Sequence, residues 1–370
     1  MPSSQAREEM RVTDSSGRHA ALSHFVAEAL ADPVASIAPA SADASFRSYW
    51  RVTLADGRTR IVMDAPPDKE NVEPWLDVGT RLHRAGLHVP EVHAVDREQG
   101  FILMEDLGTR AYLPELNATT ADALYADALD ALLRMQTRVD PGGLPPFDEA
   151  FLRMELGLMP EWFLERHLGL EPSPAQRATI DAAFDALVAA AREQPQGFMH
   201  RDYHSRNLMV VGNRASGPGT GDRQPQEAEA LLANPGIIDF QGAVVGPITY
   251  DLASLLRDCY VAWEPERVEG WLESHRRRLV HAHLLDTRVD AATFRRWFDL
   301  AGLQRHVKVL GLFCRLCYRD GKPQYLGDLP LVWRYVISVA RAHAQLAPLA
   351  ELLEDALGSR DVTRPRGIAA

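Results

Sequence analysis

The sequence predicts an α+β protein of two lobes, a small β-rich one followed by a larger, mainly helical one. Three observations predict it. Bulky and polar residues alternate on either side of Asp56-Gly57, which is the period of a strand around a tight-turn dipeptide. Ala/Leu-rich stretches with helical spacing fill most of the chain beyond residue 120. Among them lies one clearly non-helical island, residues 198–248.

Residues 1–20 are polar, rich in Ser, Arg and Glu, and read as a loose N-terminus; the small lobe is placed at 21–106. Within 44–63 a β-hairpin turns at Asp56-Gly57. After Pro66-Pro67, the run from Val72 to Gly86 spaces its apolar residues as a helix and stops on glycine. Short strands are expected at 91–95 and 101–105, and Asp106-Leu107-Gly108 is a natural connector. The large lobe, 107–360, carries helices at 121–137, 175–192, 265–284, 292–316 and 331–353. Residues 212–235 are rich in Gly, Pro and polar residues and read as a flexible surface loop. Residues 361–370 read as a mobile tail.

Bulk properties narrow the function. The chain has 370 residues, 46% hydrophobic and 25% charged, with a formal net charge of −11. That length accommodates two packed lobes. The acidic balance disfavours a general nucleic-acid or anionic-membrane surface, so the expected partners are small molecules. No run of about eighteen apolar residues marks a membrane span, and the N-terminus lacks the apolar core of a secretory signal. Cys259, Cys314 and Cys317 are an odd, sparse set, unlike a disulfide framework. Cys314 and Cys317 have C-x-x-C spacing inside the apolar run VLGLFCRLCY, with no second ligand pair, and read as helix-core residues. A cytoplasmic location follows as the default; the oligomeric state is not legible.

The chemistry lies in the island. His200-Arg201-Asp202-Tyr203-His204-Ser205-Arg206-Asn207 fits H-R-D-x-x-x-x-N, the catalytic-loop spacing of kinases. The fold expectation sharpens accordingly to a protein-kinase-like one. An alcohol is a poor nucleophile, so a carboxylate must accept its proton and aim it at phosphorus; Asp202 takes that role. Asn207, just before a short apolar run, can offer a neutral oxygen to Mg²⁺ among the phosphates of ATP. Asp239, after Gly236-Ile237-Ile238 and before Phe240-Gln241, ends a buried strand and supplies a second metal ligand. His200 and Asp251 are read as structural support. Asp251 reads either as a tether for the catalytic-loop backbone or as a helix cap.

The small lobe departs from the kinase pattern. Neither a G-x-G-x-x-G loop nor a third-strand lysine is present; the second strand of the hairpin reads Arg60-Ile61-Val62-Met63-Asp64. Ser45 and backbone N–H groups in the turn over residues 42–47 are the candidates to cover phosphates. Arg47, Arg51 and Arg60 are the available cations, although strand arginines commonly face water. Met104-Glu105-Asp106-Leu107 falls where the connector would hold adenine, through the backbones of Glu105 and Leu107.

HRDYHSRN together with IIDFQGAVVGPITYDLASLLRDCY resembles the aminoglycoside phosphotransferase-like small-molecule kinases. From Ser45 through MDAPP, MEDLG and YRDGKPQYL to the last helices, the chain is similar to the bacterial kinases that phosphorylate the anomeric hydroxyl of N-acetylmuramate and N-acetylglucosamine. The resemblance implies ATP and Mg²⁺, a sugar 1-phosphate product and a place in peptidoglycan recycling. It carries the base role onto Asp202 and the metal roles onto Asn207 and Asp239, and tolerates Gln241 where D-F-G has glycine. Candidates for the sugar are His204, Arg319 and Asp320, with Glu155 and Trp162 on the helical insert. Two other readings stand beside this one: a kinase of the same fold acting on an aminoglycoside or another small alcohol, and a nucleotide-binding pseudokinase. The missing lysine motivates the pseudokinase; the intact Asp202, Asn207 and Asp239 oppose it.

Overall fold

The structure, a computed structural model, describes residues 4–42, 46–211 and 234–365, with backbone alone at 4–16 and 41–42. The chain begins with α1 (Ser4–Ala29) and runs through β1 (Val34–Ala42), β2 (Ser48–Leu54), β3 (Thr59–Asp64), α2 (Glu73–Arg84), β4 (Val92–Asp96) and β5 (Phe101–Glu105). The strands form one antiparallel sheet in the order β1-β2-β3-β5-β4. Alternation along the strands sends side chains to opposite faces, and here both faces are covered. Val52, Leu54, Val62, Phe101 and Leu103 pack against Leu22, Phe25 and Val26 of α1. Met63, Ile102 and Met104 join Trp75, Val78 and Leu82 of α2 in the main core.

The N-terminus differs from the expectation. Where a loose segment is read at 1–20, the backbone is helical from Ser4, and β1 adds a strand ahead of the hairpin. The anchor is tertiary. Arg18 donates from Nε to Asp64 at 2.7 Å and lies over the Phe101 ring at 4.8 Å. Asp64, at the end of β3, is thus held by α1.

After the connector come α3 (Tyr112–Glu115), α4 (Ala121–Arg138), α5 (Glu149–Leu156), a π-helix (Met159–Leu168) and α6 (Pro174–Glu193). Four short strands follow, β6 (Gln196–Met199), β7 (Leu208–Met209), β8 (Gly236–Ile237) and β9 (Val244–Pro247), paired β6 with β9 and β7 with β8. The chain ends in α7 (Tyr250–Leu256), α8 (Pro265–His281), α9 (Ala291–Tyr318), a 3₁₀ helix (Pro323–Asp328), α10 (Leu329–Ala342) and α11 (Ala347–Leu357). The loop read at 212–235 lies outside the described residues as far as 233.

α9 is the spine of the helical part and is buried from Trp297 to Gly311 without a break. A helix covered on all sides in this way lies inside the protein rather than on its surface. Gly311 lets it lie against the π-helix, since a Cβ there would stand 2.1 Å from the Leu158 carbonyl oxygen. Cys314 and Cys317 are free thiols in this core, as their apolar setting in the sequence implies, and Cys259 is likewise free and buried. Two expectations need correction. The single helix read at 331–353 is two, because His343 turns extended and Pro348 can only begin a new helix. The tail read as mobile from 361 is anchored at its start: Val362 is buried and its carbonyl meets His167 Nε2 at 2.8 Å. Among the described residues no helix is long and apolar enough to cross a membrane.

Candidate active site

The loop between β6 and β7, which the sequence predicts to be the catalytic loop, is held by Asp251 at the start of α7. Asp251 Oδ2 accepts from the His200 N–H at 2.7 Å, and Oδ1 from the Arg201 N–H at 3.0 Å. Thr249, not Asp251, occupies the cap position of α7, so the two readings of Asp251 separate in favour of the tether. Arg201 has φ +76°, a left-handed conformation that costs a residue other than glycine about 1–3 kcal/mol. The same region holds Asp239 at φ +61°. Strain of this kind persists only where the surroundings fix it.

His200 is fully buried, and burial brings its imidazole down to about 4. It is therefore neutral at pH 7, and its Nδ1 receives the Asp202 N–H at 3.3 Å. Asn207 closes the loop. Its Nδ2 donates to the Asp202 carbonyl at 2.9 Å and to Asp239 Oδ2 at 3.3 Å. The backbone N–H of Ile238 donates to the Asn207 carbonyl at 3.1 Å. Asp202, Asn207 and Asp239 thus meet through one amide.

Electrostatics follow from α9. Burial alone would raise the Asp202 carboxyl, but Lys308, His204, Arg201 and Arg305 outweigh it and bring the group down to about 2. Lys308 Nζ stands 2.9 Å from Glu155 Oε1, and Arg201 Nη2 2.8 Å from the same oxygen. Glu155 is 3% exposed, so this candidate for the sugar is instead a buried counter-charge joining α5, the catalytic loop and α9. Neither Lys308 nor Arg305 has a motif to announce it; only the packing of α9 under the loop brings them in.

A cleft of about 480 Å³ runs between the sheet and the catalytic loop. Tyr49, Arg51, Ile61 and Met104 form its roof, Glu105, Leu107 and Gly108 its back, and Asn207, Ile238 and Asp239 its floor. Four predicted residues (Glu105, Leu107, Asn207 and Asp239) therefore share one cavity. Phe240 sits behind it against Trp75, with ring centroids 5.1 Å apart. Of the three candidate cations, Arg51 forks onto Asp106 at 2.6 and 3.1 Å and clamps β2 to the connector. Arg60 donates to the Thr59 carbonyl. Arg47 reaches the floor, with Nη2 3.7 Å from Asp239 Oδ1. Ser45 lies outside the described residues.

The sugar candidates scatter. His204 is buried beside the loop, edge-on to Tyr260 at 5.5 Å. Arg319 and Asp320 pair with each other at 2.7 Å. Arg319 and Trp162 instead line a surface depression with Glu161, Glu165, Arg166 and Tyr318.

Two oxygen-bearing side chains at one point, with Gln241 Nε2 on Asp239 Oδ1 at 2.6 Å, suit a Mg²⁺ that takes its other ligands from phosphates and water. A dedicated cage is not required, and among the described residues no cluster of three His, Cys, Asp or Glu ligands forms one.

Residues 36–217 and 232–297 match the phosphotransferase enzyme family, APH. The chain belongs to that family. Similar chains include the N-acetylmuramate/N-acetylglucosamine kinase of Pseudomonas aeruginosa, 44% identical, covering 89% of this chain and 91% of that one. The Pseudomonas putida kinase of the same name is 43% identical over 87% and 89%, and the Neisseria meningitidis one 37% over 87% and 91%. Among solved structures, an APH(2")-IIa–gentamicin complex aligns with a TM-score of 0.55 at 12% identity, covering 89% of this chain and 98% of that one. The Plasmodium vivax ethanolamine kinase aligns at 0.53 and 11%, covering 81% and 82%. At such identities these structures share the fold alone with this phosphotransferase.

Proposed function

We propose that the chain is an ATP-dependent sugar kinase that phosphorylates the anomeric hydroxyl of N-acetylmuramate and N-acetylglucosamine. The observation that carries the reaction type is the single amide, Asn207, that ties Asp202 to Asp239 at the floor of the cleft. The sugar comes from the relatives, whose names agree at 43–44% identity along most of their length.

Asp202 accepts a hydrogen bond from the sugar hydroxyl and takes its proton as the phosphoryl group arrives. Held near 2, it is a weak base, so its first task is to aim the oxygen, with transfer completed late. Asn207 and Asp239 would hold Mg²⁺, which when bound shields the charge of the β- and γ-phosphates. The backbones of Glu105 and Leu107 face the adenine edge, and Arg47 is the residue that meets the phosphates in place of the absent lysine. The reading extends to a cytoplasmic salvage of cell-wall amino sugars, where ATP is at hand.

Incubation with ATP, Mg²⁺ and either sugar, followed by phosphorus NMR, tests this. An anomeric phosphate is expected with both sugars; its absence with both overturns the reading.

A further inference from the structure

The two acceptors named for the relatives differ by one group, an ether-linked lactate whose carboxylate is ionised at neutral pH. A single site that takes both must offer a cation to one and leave no naked charge beside the other. A buried or half-buried charge without a partner is costly, so the cation needs a counter-charge that can be exchanged.

Arg206 has that arrangement. It stands in the catalytic loop one residue before Asn207, and lines the same cleft. Its guanidinium lies over the Tyr260 ring, 3.6 Å from the centroid. Tyr260 is in turn backed by Phe313, stacked at 6.2 Å and 28°, and met edge-on by His204. The ring is therefore a fixed shelf that orients the fork of the arginine.

The partner of Arg206 is Asp328, at 3.6 Å. That distance is within ion-pair range and too long for a hydrogen bond, so the pair is held by charge rather than by geometry. Asp328 stands at the cap position of α10, where an aspartate ordinarily accepts from the helix N–H groups, and makes no capping bond. Its carboxylate is withheld from the helix. The Arg206 side chain is 40% exposed and Asp328 28%, so an incoming carboxylate can reach the pair. Burial raises the Asp328 carboxyl above its ordinary value, against the pull of Arg206.

We propose that Arg206 and Asp328 form an exchangeable ion pair that admits both neutral and carboxylate-bearing amino sugars to one acceptor site. With a neutral sugar Asp328 balances Arg206; with an acidic one the substrate carboxylate takes the guanidinium. The proposal rests on the amino-sugar reading above.

The test is kcat/KM for N-acetylmuramate, N-acetylglucosamine and ATP in the wild type, Arg206→Gln and Asp328→Asn. Arg206→Gln should lower the muramate-to-glucosamine ratio by about 10- to 100-fold, the worth of one charge-assisted contact. Asp328→Asn should move the ratio the other way by about two- to fivefold, as for a partly exposed ion pair. Equal losses for both sugars in Arg206→Gln, or a rise confined to the KM for ATP, overturn the proposal; the second result would assign Arg206 to the phosphates. If Arg206→Gln does not fold, Asp328→Asn decides, and an unchanged ratio there overturns the proposal. A wild type that phosphorylates neither sugar removes the amino-sugar reading and this inference with it, whereas an active wild type with an unmoved ratio in the variants removes the inference alone.

Discussion

Asp251→Asn keeps the size of a buried side chain and removes its charge. In the wild type both carboxylate oxygens accept backbone N–H groups, from His200 at 2.7 Å and Arg201 at 3.0 Å. Asparagine retains one acceptor and turns an NH₂ toward the other donor, losing about 1.5–3 kcal/mol for a charge-assisted bond. An opposing effect is larger. Burial raises the Asp251 carboxyl to about 7, even though the His200 and Arg201 N–H groups pull it down. Against an ordinary value near 3.8, holding the ionised form inside costs about 4 kcal/mol at neutral pH. The relief of burial is the larger of the two, so at neutral pH the variant should be more stable than the wild type by about 1–2.5 kcal/mol. Catalysis has no such compensation. Arg201 at φ +76° loses the anchor that fixes it, and Asp202 is the next residue. A shift of about 1 Å there lowers kcat by roughly 100-fold. A carboxyl raised in the folded state stabilises below its unfolded value and loses that contribution as pH rises through about 7. The variant should therefore gain on the wild type between about pH 5 and pH 8. ADP-release kinetics and urea unfolding at both pH values measure this. An unchanged kcat refutes the tether, and a variant-to-wild-type difference that does not move with pH refutes the account of burial.

Asp202→Asn removes the proton acceptor at constant size, and kcat should fall by about 10²–10⁴-fold with an unchanged circular dichroism spectrum; retention of turnover would contradict the base assignment. Gly311→Ala would press a methyl to 2.1 Å from the Leu158 oxygen and 2.6 Å from the Met159 nitrogen. It should destabilise by about 1–3 kcal/mol or more, and an unmoved urea midpoint would show that α9 and the π-helix can part freely. Burial lowers His200 to about 4 and His275 and His306 to about 3. Each takes up its proton in the unfolded chain first, near pH 6.5, so stability should fall as pH drops from there toward 4, by up to about 1.4 kcal/mol per pH unit for each group. A flat unfolding free energy between about pH 7 and pH 5 would contradict their neutrality.

What the sequence determines by itself is local. The hairpin at Asp56-Gly57, the helix stopping at Gly86 and the five-residue reach from Asp202 to Asn207 are all written in short-range spacing, because a turn, a helix stop and a catalytic loop each depend on neighbours along the chain. The pair of Asn207 and Asp239 is legible for the same reason, each residue standing beside a short strand. The rest requires the chain to close on itself. α1 has polar residues over most of its length and is held by Leu22, Phe25 and Val26 on strands distant from it in sequence. The break between α10 and α11 is the exception, since Pro348 marks it locally in a run whose apolar periodicity continues across it. Glu155 has the chemistry of a sugar ligand, yet Lys308 and Arg201 claim it in the interior. Arg47 is a candidate cation from its sequence alone, but its approach to Asp239, at 3.7 Å, joins two segments that no local pattern connects. Charge pairing and burial are properties of surfaces brought together, and only the tertiary structure decides which surfaces those are.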